Sequence, residues 1–337
     1  MKTDNDIVRL IISAAISMVL LSNAAAGCSI RTSDEVEKTA ESGEASTAAI
    51  AAKTPATTSA ATFDPAKLGT VERDVPYSGN SSAAQKMDIY YPAKMNGPAP
   101  AVMYVHGGGW TKGDKKDGAG ADAIPDLVDA GFLVVSINYR LAPDDKFPAQ
   151  IEDVKCAVRY LRANAARYNL DPERIGAWGG SAGGHLVSLL GVTDGNEGFE
   201  GTGGYAEQSS RVQAVVDMFG PSDLMKEFSG GAIGRALGMQ VFGTSDQGSD
   251  ILTQASPVTH VSADDPPFLI LHGAKDDLVP TEQSQELYDR LKAAGVPATL
   301  VMVENAGHGF VPSGGQISPS RQELAKMIVE FFQKELA

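Results

Sequence analysis

From residue 63 onward the apolar positions fall into short dense blocks separated by turn residues. Val71, Arg73, Val75 and Tyr77 alternate as in a half-exposed strand, and residues 86–91 read as a second strand. Six continuous apolar runs follow, at 101–106, 132–138, 175–178, 212–219, 268–272 and 298–303. Unbroken runs suit strands covered on both faces, as in a mostly parallel sheet. Between them the period becomes helical. Ile151, Val154, Val158, Leu161 and Ala165 step by three and four within 150–168, leaving Cys156 off the stripe as an ordinary helix residue. Thr281 is placed to cap a helix running to Ala294, with Gly295 just past its end where a left-handed residue is needed. Ser320 and Glu323 have capping-box spacing at the head of a last helix, 320–335. The alternation predicts an α/β fold: a mostly parallel eight-stranded sheet with helices on both faces. Residues 222–260 break the rhythm between the sixth and seventh strands. They are expected to form a small cap insertion over the strand ends, where ligands gather in such sheets.

The first 62 residues obey different rules. Residues 10–26 carry no charge and end in small side chains. The stretch is short for a span of about 20 residues and suits a secretory signal behind Lys2 and Arg9. An N-terminal membrane anchor is the alternative. Ala25-Ala26-Gly27-Cys28 resembles a bacterial lipoprotein processing site, with alanine where that pattern usually has leucine. Cleavage there would leave Cys28 to carry lipid, anchoring the exported chain to the cell envelope. Residues 28–62 are dominated by Ala, Thr, Ser and Glu and have no aromatic side chain. They bury too little to offset their ordering entropy, so a disordered tether spanning roughly 30 Å is expected. The expected organisation is a signal at 1–27, a tether at 28–62 and one folded domain at 63–337.

Composition narrows the classes. The chain of 337 residues is 43% apolar and 21% charged, which excludes a wholly disordered or collagen-like protein. Acidic side chains outnumber basic ones by 42 to 28, giving a net charge of −14. Nucleic-acid binding needs clustered positive charge, so that class is set aside. Two cysteines cannot build a disulfide framework or a four-thiolate zinc site.

Two motifs carry chemistry. Gly179-Gly180-Ser181-Ala182-Gly183 follows the fifth strand and opens an apolar helix. A serine in such a turn is strained, with its hydroxyl above the sheet and the helix N-terminus beside developing negative charge. His106-Gly107-Gly108-Gly109-Trp110 follows the third strand, and its glycines let backbone N–H groups face a substrate oxygen. A phosphate-binding loop is excluded because no Lys-Ser or Lys-Thr closes it. Serine needs a base and the base needs an orienting acid. His106 and His185 lie inside the motifs as supporting residues, and His260 reads as structural. His308, after the eighth strand, is the histidine that leaves room for an acid between itself and Ser181. Asp276 and Asp277 both follow the seventh strand, and spacing leaves the choice between them open. Trp110, Phe219 and Phe310 are candidate substrate-pocket walls, although aromatic residues near strand ends are as often plain core.

HGGGW, GGSAGGHL, LILHGAKDDLVP and NAGHGF together resemble the α/β-hydrolase esterases of the hormone-sensitive-lipase-like group, close to bacterial feruloyl and acetylxylan esterase-like lipoproteins. VSINYRLAPDDKFPAQIEDV fits the same group, and the resemblance runs from about residue 86 to the end. It implies that the acid is Asp276 and that the oxyanion is held by Gly107, Gly108 and Ala182. The expected activity is hydrolysis of short-chain acyl or aryl esters, on a small molecule or a polysaccharide, through a Ser-His-Asp triad and an acyl-enzyme. No metal or organic cofactor is required. Since the base must be neutral, activity is expected to fall in acid. The alternatives are an amide or peptide hydrolase of the same fold and a catalytically dead surface binding protein.

Overall fold

The computed structural model describes residues 63–79, 82, 84–227 and 231–337, so the expected signal, the tether and Cys28 lie outside the described residues. Eight strands are β1 (Val71–Pro76), β2 (Lys86–Tyr90), β3 (Ala99–Val105), β4 (Leu133–Ile137), β5 (Leu170–Gly180), β6 (Ala214–Met218), β7 (Phe268–Gly273) and β8 (Ala298–Val303). They form one sheet in the order β1-β2-β4-β3-β5-β6-β7-β8. β1 pairs antiparallel with β2, β2 pairs antiparallel with β4, and the pairs from β4 to β8 are parallel. β3 leads on to β4 on one side and its neighbour β5 leads on to β6 on the other, which makes a switch point between the ends of β3 and β5.

Side chains of the central strands go alternately to two cores. Met103 and Val105 of β3 join one, and Val102 and Tyr104 join the other. The first core is closed by α2 (Ala149–Ala163), α4 (Ala182–Val192) and α8 (Thr281–Ala294), and the second by α1 (Ile124–Asp129) and α9 (Arg321–Glu335). Two short helical turns, α3 (Ala165–Tyr168) and α5 (Leu224–Glu227), and the longer α6 (Gly231–Val241) and α7 (Asp250–Ala255) complete the set. Ser320 and Glu323 form the expected capping box at α9, and Gly295 takes the left-handed conformation after α8 with φ 85°.

Several expectations need correction. Thr281 does not cap α8; Pro280 occupies the cap position and Thr281 is the first helical residue. The expected helix 150–168 is interrupted at Asn164, whose side chain donates to the Tyr160 carbonyl at 2.8 Å. The alternation in β1 fails because the register shifts between Glu72 and Val75, with Asp74 at φ 55°, so Val71 is exposed while Val75 is buried. β8 is apolar in sequence but lies at the sheet edge and is only partly covered. Cys156 is buried in the first core, and Lys155 and Arg159 on the same helix are buried as well. A loop at 193–211 covers the polar side of α2 and satisfies these charges. Lys155 donates to the Thr193 and Asp194 carbonyls, Glu200 and Ser210, and Arg159 pairs with Glu200. Such a helix is buried all round, and a stripe of apolar spacing does not reveal it.

Residues 222–260 contribute Leu224, Val241, Phe242, Leu252 and Ala255 to the first core, so the described part of the insertion is seated on the domain. Phe147 N–H donates to the Val241 carbonyl at 2.8 Å, and Ser222 and Asp223 N–H groups both donate to Gln283 of α8 at 2.7 Å.

Candidate active site

The loops that follow β5, β7 and β8 bring three side chains together. Ser181 stands between β5 and α4 with φ 57° and ψ −123°, a strained conformation for a serine. The turn is held from both sides. Ser181 N–H donates to the Met218 carbonyl at 2.9 Å, and the Ser181 carbonyl accepts from His185 N–H at 2.9 Å. Ser181 Oγ lies 3.0 Å from His308 Nε2, and His308 Nδ1 lies 2.8 Å from Asp276 Oδ2. Of the two adjacent aspartates it is therefore Asp276 that reaches the imidazole, while Asp277 is exposed.

The acid is locked in a tight turn. Asp276 Oδ1 accepts from the N–H groups of Leu278 and Val279 at 2.9 and 3.0 Å, and its side chain is shut off from solvent. Burial works against its charge, but hydrogen bonds with His272 and His308, the charge of His308 and the Val279 N–H outweigh it. The carboxyl is held well below the usual carboxylate range. An ionised acid at His308 Nδ1 keeps the ring proton there and leaves Nε2 bare towards the serine hydroxyl.

The glycine loop lies against the Ser181 turn. A Cβ on Gly107 would fall 2.7 Å from the Gly180 carbonyl oxygen and 3.4 Å from Ser181 Cβ, so only glycine permits this approach. Gly108 and Gly109 follow with φ 111° and 62°. Tyr139 OH donates to the His106 carbonyl at 2.9 Å, and the far side of the loop is anchored by Lys115, which pairs with buried Asp88 at 3.1 Å. Gly107 and Ala182, the first residue of α4, thus border the serine at the positive end of a helix dipole, with Gly108 next along the loop.

Other expected residues take different places. Trp110 and Phe310 are 4% and 5% exposed, so both are packed in the cores and neither is an open wall. Phe219 is also buried and packs edge-on to His308 with ring centres 4.8 Å apart, and to Phe310 at 4.9 Å. His260 bonds the Gln254 carbonyl, away from the serine.

Sequence reasoning missed four supports. His272, near the end of β7, places Nε2 3.4 Å from Asp276 Oδ2 while Nδ1 meets Ser284 Oγ at 2.6 Å. Its place four residues before the acid was the available signal. Arg321, at the start of α9, donates to the Gly309 and Phe310 carbonyls beside the imidazole at 2.9 and 3.3 Å. Glu227 of α5 is pushed up to about 7, first by burial and then by the charge of Asp276. Asp217 of β6 accepts from Gly220 N–H at 3.0 Å, and its other oxygen has no hydrogen-bond partner among the described residues.

Burial pushes the Asp217 carboxyl up to about 7, whereas an unfolded aspartate ionises near ~4. Between these values the folded chain keeps a proton that the unfolded chain releases. The stability contributed is full below about pH 4 and is lost as pH rises towards about 7. Asp217→Asn keeps an acceptor for Gly220 and removes this slope. The variant is expected to gain in Tm over the parent as pH is raised from about 5 to about 8. A difference that stays constant across that range would show that Asp217 does not hold the proton.

Comparison with known proteins gives concordant results. Residues 87–291 match the family described as BD-FAE. A probable carboxylic ester hydrolase of Mycobacterium tuberculosis, LipM, is 35% identical over 243 residues, covering 69% of this chain and 56% of LipM. This chain therefore spans a little over half of that relative. Among solved structures, a truncated carbohydrate esterase from gut microbiota superposes with a TM-score of 0.70 at 33% identity, covering 82% of this chain and 99% of the other. A propionate-bound esterase of the Planctomycetes species Thermogutta terrifontis superposes at 0.64 with 26% identity, over 78% of this chain and 94% of the other. The architecture is that of the α/β-hydrolase fold.

Proposed function

The chain belongs to the BD-FAE family, and from that premise we propose that it is a carboxylic ester hydrolase working through Ser181, His308 and Asp276. His308 Nε2 takes the Ser181 proton as Oγ attacks the ester carbonyl. Asp276 fixes the ring and stabilises the imidazolium that forms. The tetrahedral oxyanion rests on the N–H groups of Gly107, Gly108 and Ala182, and the alcohol leaves with the proton from His308. Water, activated by the same imidazole, then releases the acid from the acyl-enzyme. The observation that carries this reading is the unbroken hydrogen-bond chain from buried Asp276 through His308 to a strained Ser181.

The proposed substrates are short acyl or aryl esters, carried on a sugar or a small alcohol; the likeness to a carbohydrate esterase and to a propionate-bound esterase supports the sugar and short-acyl parts of this reading. Leu278 and Val311, both more than half exposed, follow the acid and the imidazole by two and three residues and supply apolar contact for an acyl or aryl group. The chain is exported through residues 1–27 and tethered by lipid on Cys28, with 28–62 as spacer. Cys28→Ala is expected to release the protein from the membrane fraction, and palmitate incorporation at an unaltered Cys28 checks the assignment.

The test of function is a rate panel. It comprises p-nitrophenyl esters of increasing acyl length, acetylated xylan, methyl ferulate, and formyl- and aminoacyl-amides. Turnover of short acyl or feruloyl esters well above the amides supports the reading. Preference for the amides makes the chain an amidase, and no turnover of any member sets hydrolysis aside.

A further inference from the structure

Trp110 is the last residue of the glycine loop, and it is held from three sides. Its backbone has φ 58°, and its carbonyl accepts from Ala142 N–H at 2.9 Å. Its indole N–H donates to His185 Nδ1 at 3.1 Å inside the core, and its ring packs edge-on to Phe242 of the insertion with centres 5.6 Å apart. His185 lies one turn into α4 from the nucleophile and is wholly buried. Its Nε2 is 2.7 Å from the Ala255 carbonyl at the end of α7.

The two partners dictate the tautomer. A carbonyl only accepts, so His185 Nε2 must carry the proton. Nδ1 is then the bare nitrogen that the indole N–H requires. Burial pushes this imidazole down to about 4, so it stays neutral and the arrangement holds at ordinary pH. Every polar atom of the pair is satisfied, and breaking either bond leaves a buried donor or acceptor without a partner.

We infer that Trp110 and His185 are positioning residues: they pin the oxyanion loop to the nucleophile helix, with the Ala255 carbonyl of the insertion as the third point of support. The inference rests on the reading of Gly107 and Gly108 as oxyanion donors. Those N–H groups precede Trp110 by three and two residues and stand on glycines that hold no conformation by themselves. Their aim at the oxyanion is therefore set by what fixes the end of the loop. A donor displaced by a fraction of an ångström loses transition-state stabilisation while substrate binding is little changed.

Trp110→Phe keeps an aromatic ring and removes only the N–H donor. Its kcat is expected to fall about 10- to 100-fold with KM within about threefold. The Ki of a trifluoromethyl ketone, which forms a tetrahedral adduct on the serine, should rise by the same factor as kcat/KM falls. His185→Leu is expected to behave like Trp110→Phe. His185→Gln, whose amide can accept from the indole and donate to Ala255 together, should recover most of the rate. Circular dichroism and melting of each variant separate misfolding from misplacement, and the His185 pair remains decisive if Trp110→Phe does not fold. An unchanged kcat/KM in folded Trp110→Phe and His185→Leu overturns the inference. So does a loss that appears wholly in KM, or one that leaves the ketone affinity unaltered. Failure of the parent enzyme to turn over esters or bind the ketone would instead strike the functional proposal itself.

Discussion

Ser181→Ala is expected to lower kcat by about 10⁴- to 10⁶-fold, with the fold intact and KM little changed. The hydroxyl is the only part of the residue that meets His308, at 3.0 Å. The backbone bonds that hold the turn, from Ser181 N–H to Met218 and from His185 N–H to the Ser181 carbonyl, do not involve the side chain. Alanine therefore removes the nucleophile and leaves the strained turn, the glycine loop and the helix dipole in place. The residual rate reports what those donors do for an attacking water. Turnover by folded Ser181→Ala within about tenfold of the parent would remove the serine from the mechanism.

Asp276→Asn is expected to cost about 10⁴-fold in kcat. Asp276 Oδ1 already accepts from Leu278 and Val279 N–H, so an asparagine carbonyl oxygen is drawn to that side. Its NH₂ group then faces His308 Nδ1 in place of Oδ2. That nitrogen becomes an acceptor, the ring proton moves to Nε2, and the lone pair that should take the serine proton points away. Stability gives a second readout with a definite sign. The folded carboxyl is held well below its unfolded value. Its contribution is therefore full above an unfolded value near ~4 and is lost as pH falls through the folded one. The deficit in Tm of Asp276→Asn should accordingly be largest near neutrality and shrink in acid, opposite to the trend for Asp217→Asn. Measured kcat, with Tm across pH for both variants, checks the pair.

What the sequence disclosed follows from how each feature is encoded. Strands covered on both faces are mostly apolar, so β3, β4, β6, β7 and the second half of β5 announce themselves while the polar first half of β5 does not; the serine turn is legible because only glycine tolerates its close approaches. The acid could not be read from spacing, since Asp276 and Asp277 differ by one position; the resemblance pointed to Asp276, and the turn geometry separates the two. Trp110, Phe219 and Phe310 look like open pocket walls in one dimension because a large apolar residue at a strand end can face either way. The structure turns all three inward. The burial of Lys155 and Arg159 escaped notice because it depends on a loop some 40 residues later, through Glu200 and Ser210, and Cys156, read as an ordinary helix residue, is covered by the same loop through the Gly203 carbonyl. Arg321 acts on the site only through contacts made after folding, which no local pattern records, whereas His272 left one local trace, its place four residues before the acid.

The most direct measurement is active-site titration with a fluorophosphonate followed by peptide mapping. One equivalent of phosphonyl group on Ser181, with labelling abolished in folded Ser181→Ala and strongly slowed in Asp276→Asn, is the predicted result. Adduct on a different residue, or no adduct on a correctly folded parent chain, would contradict the account.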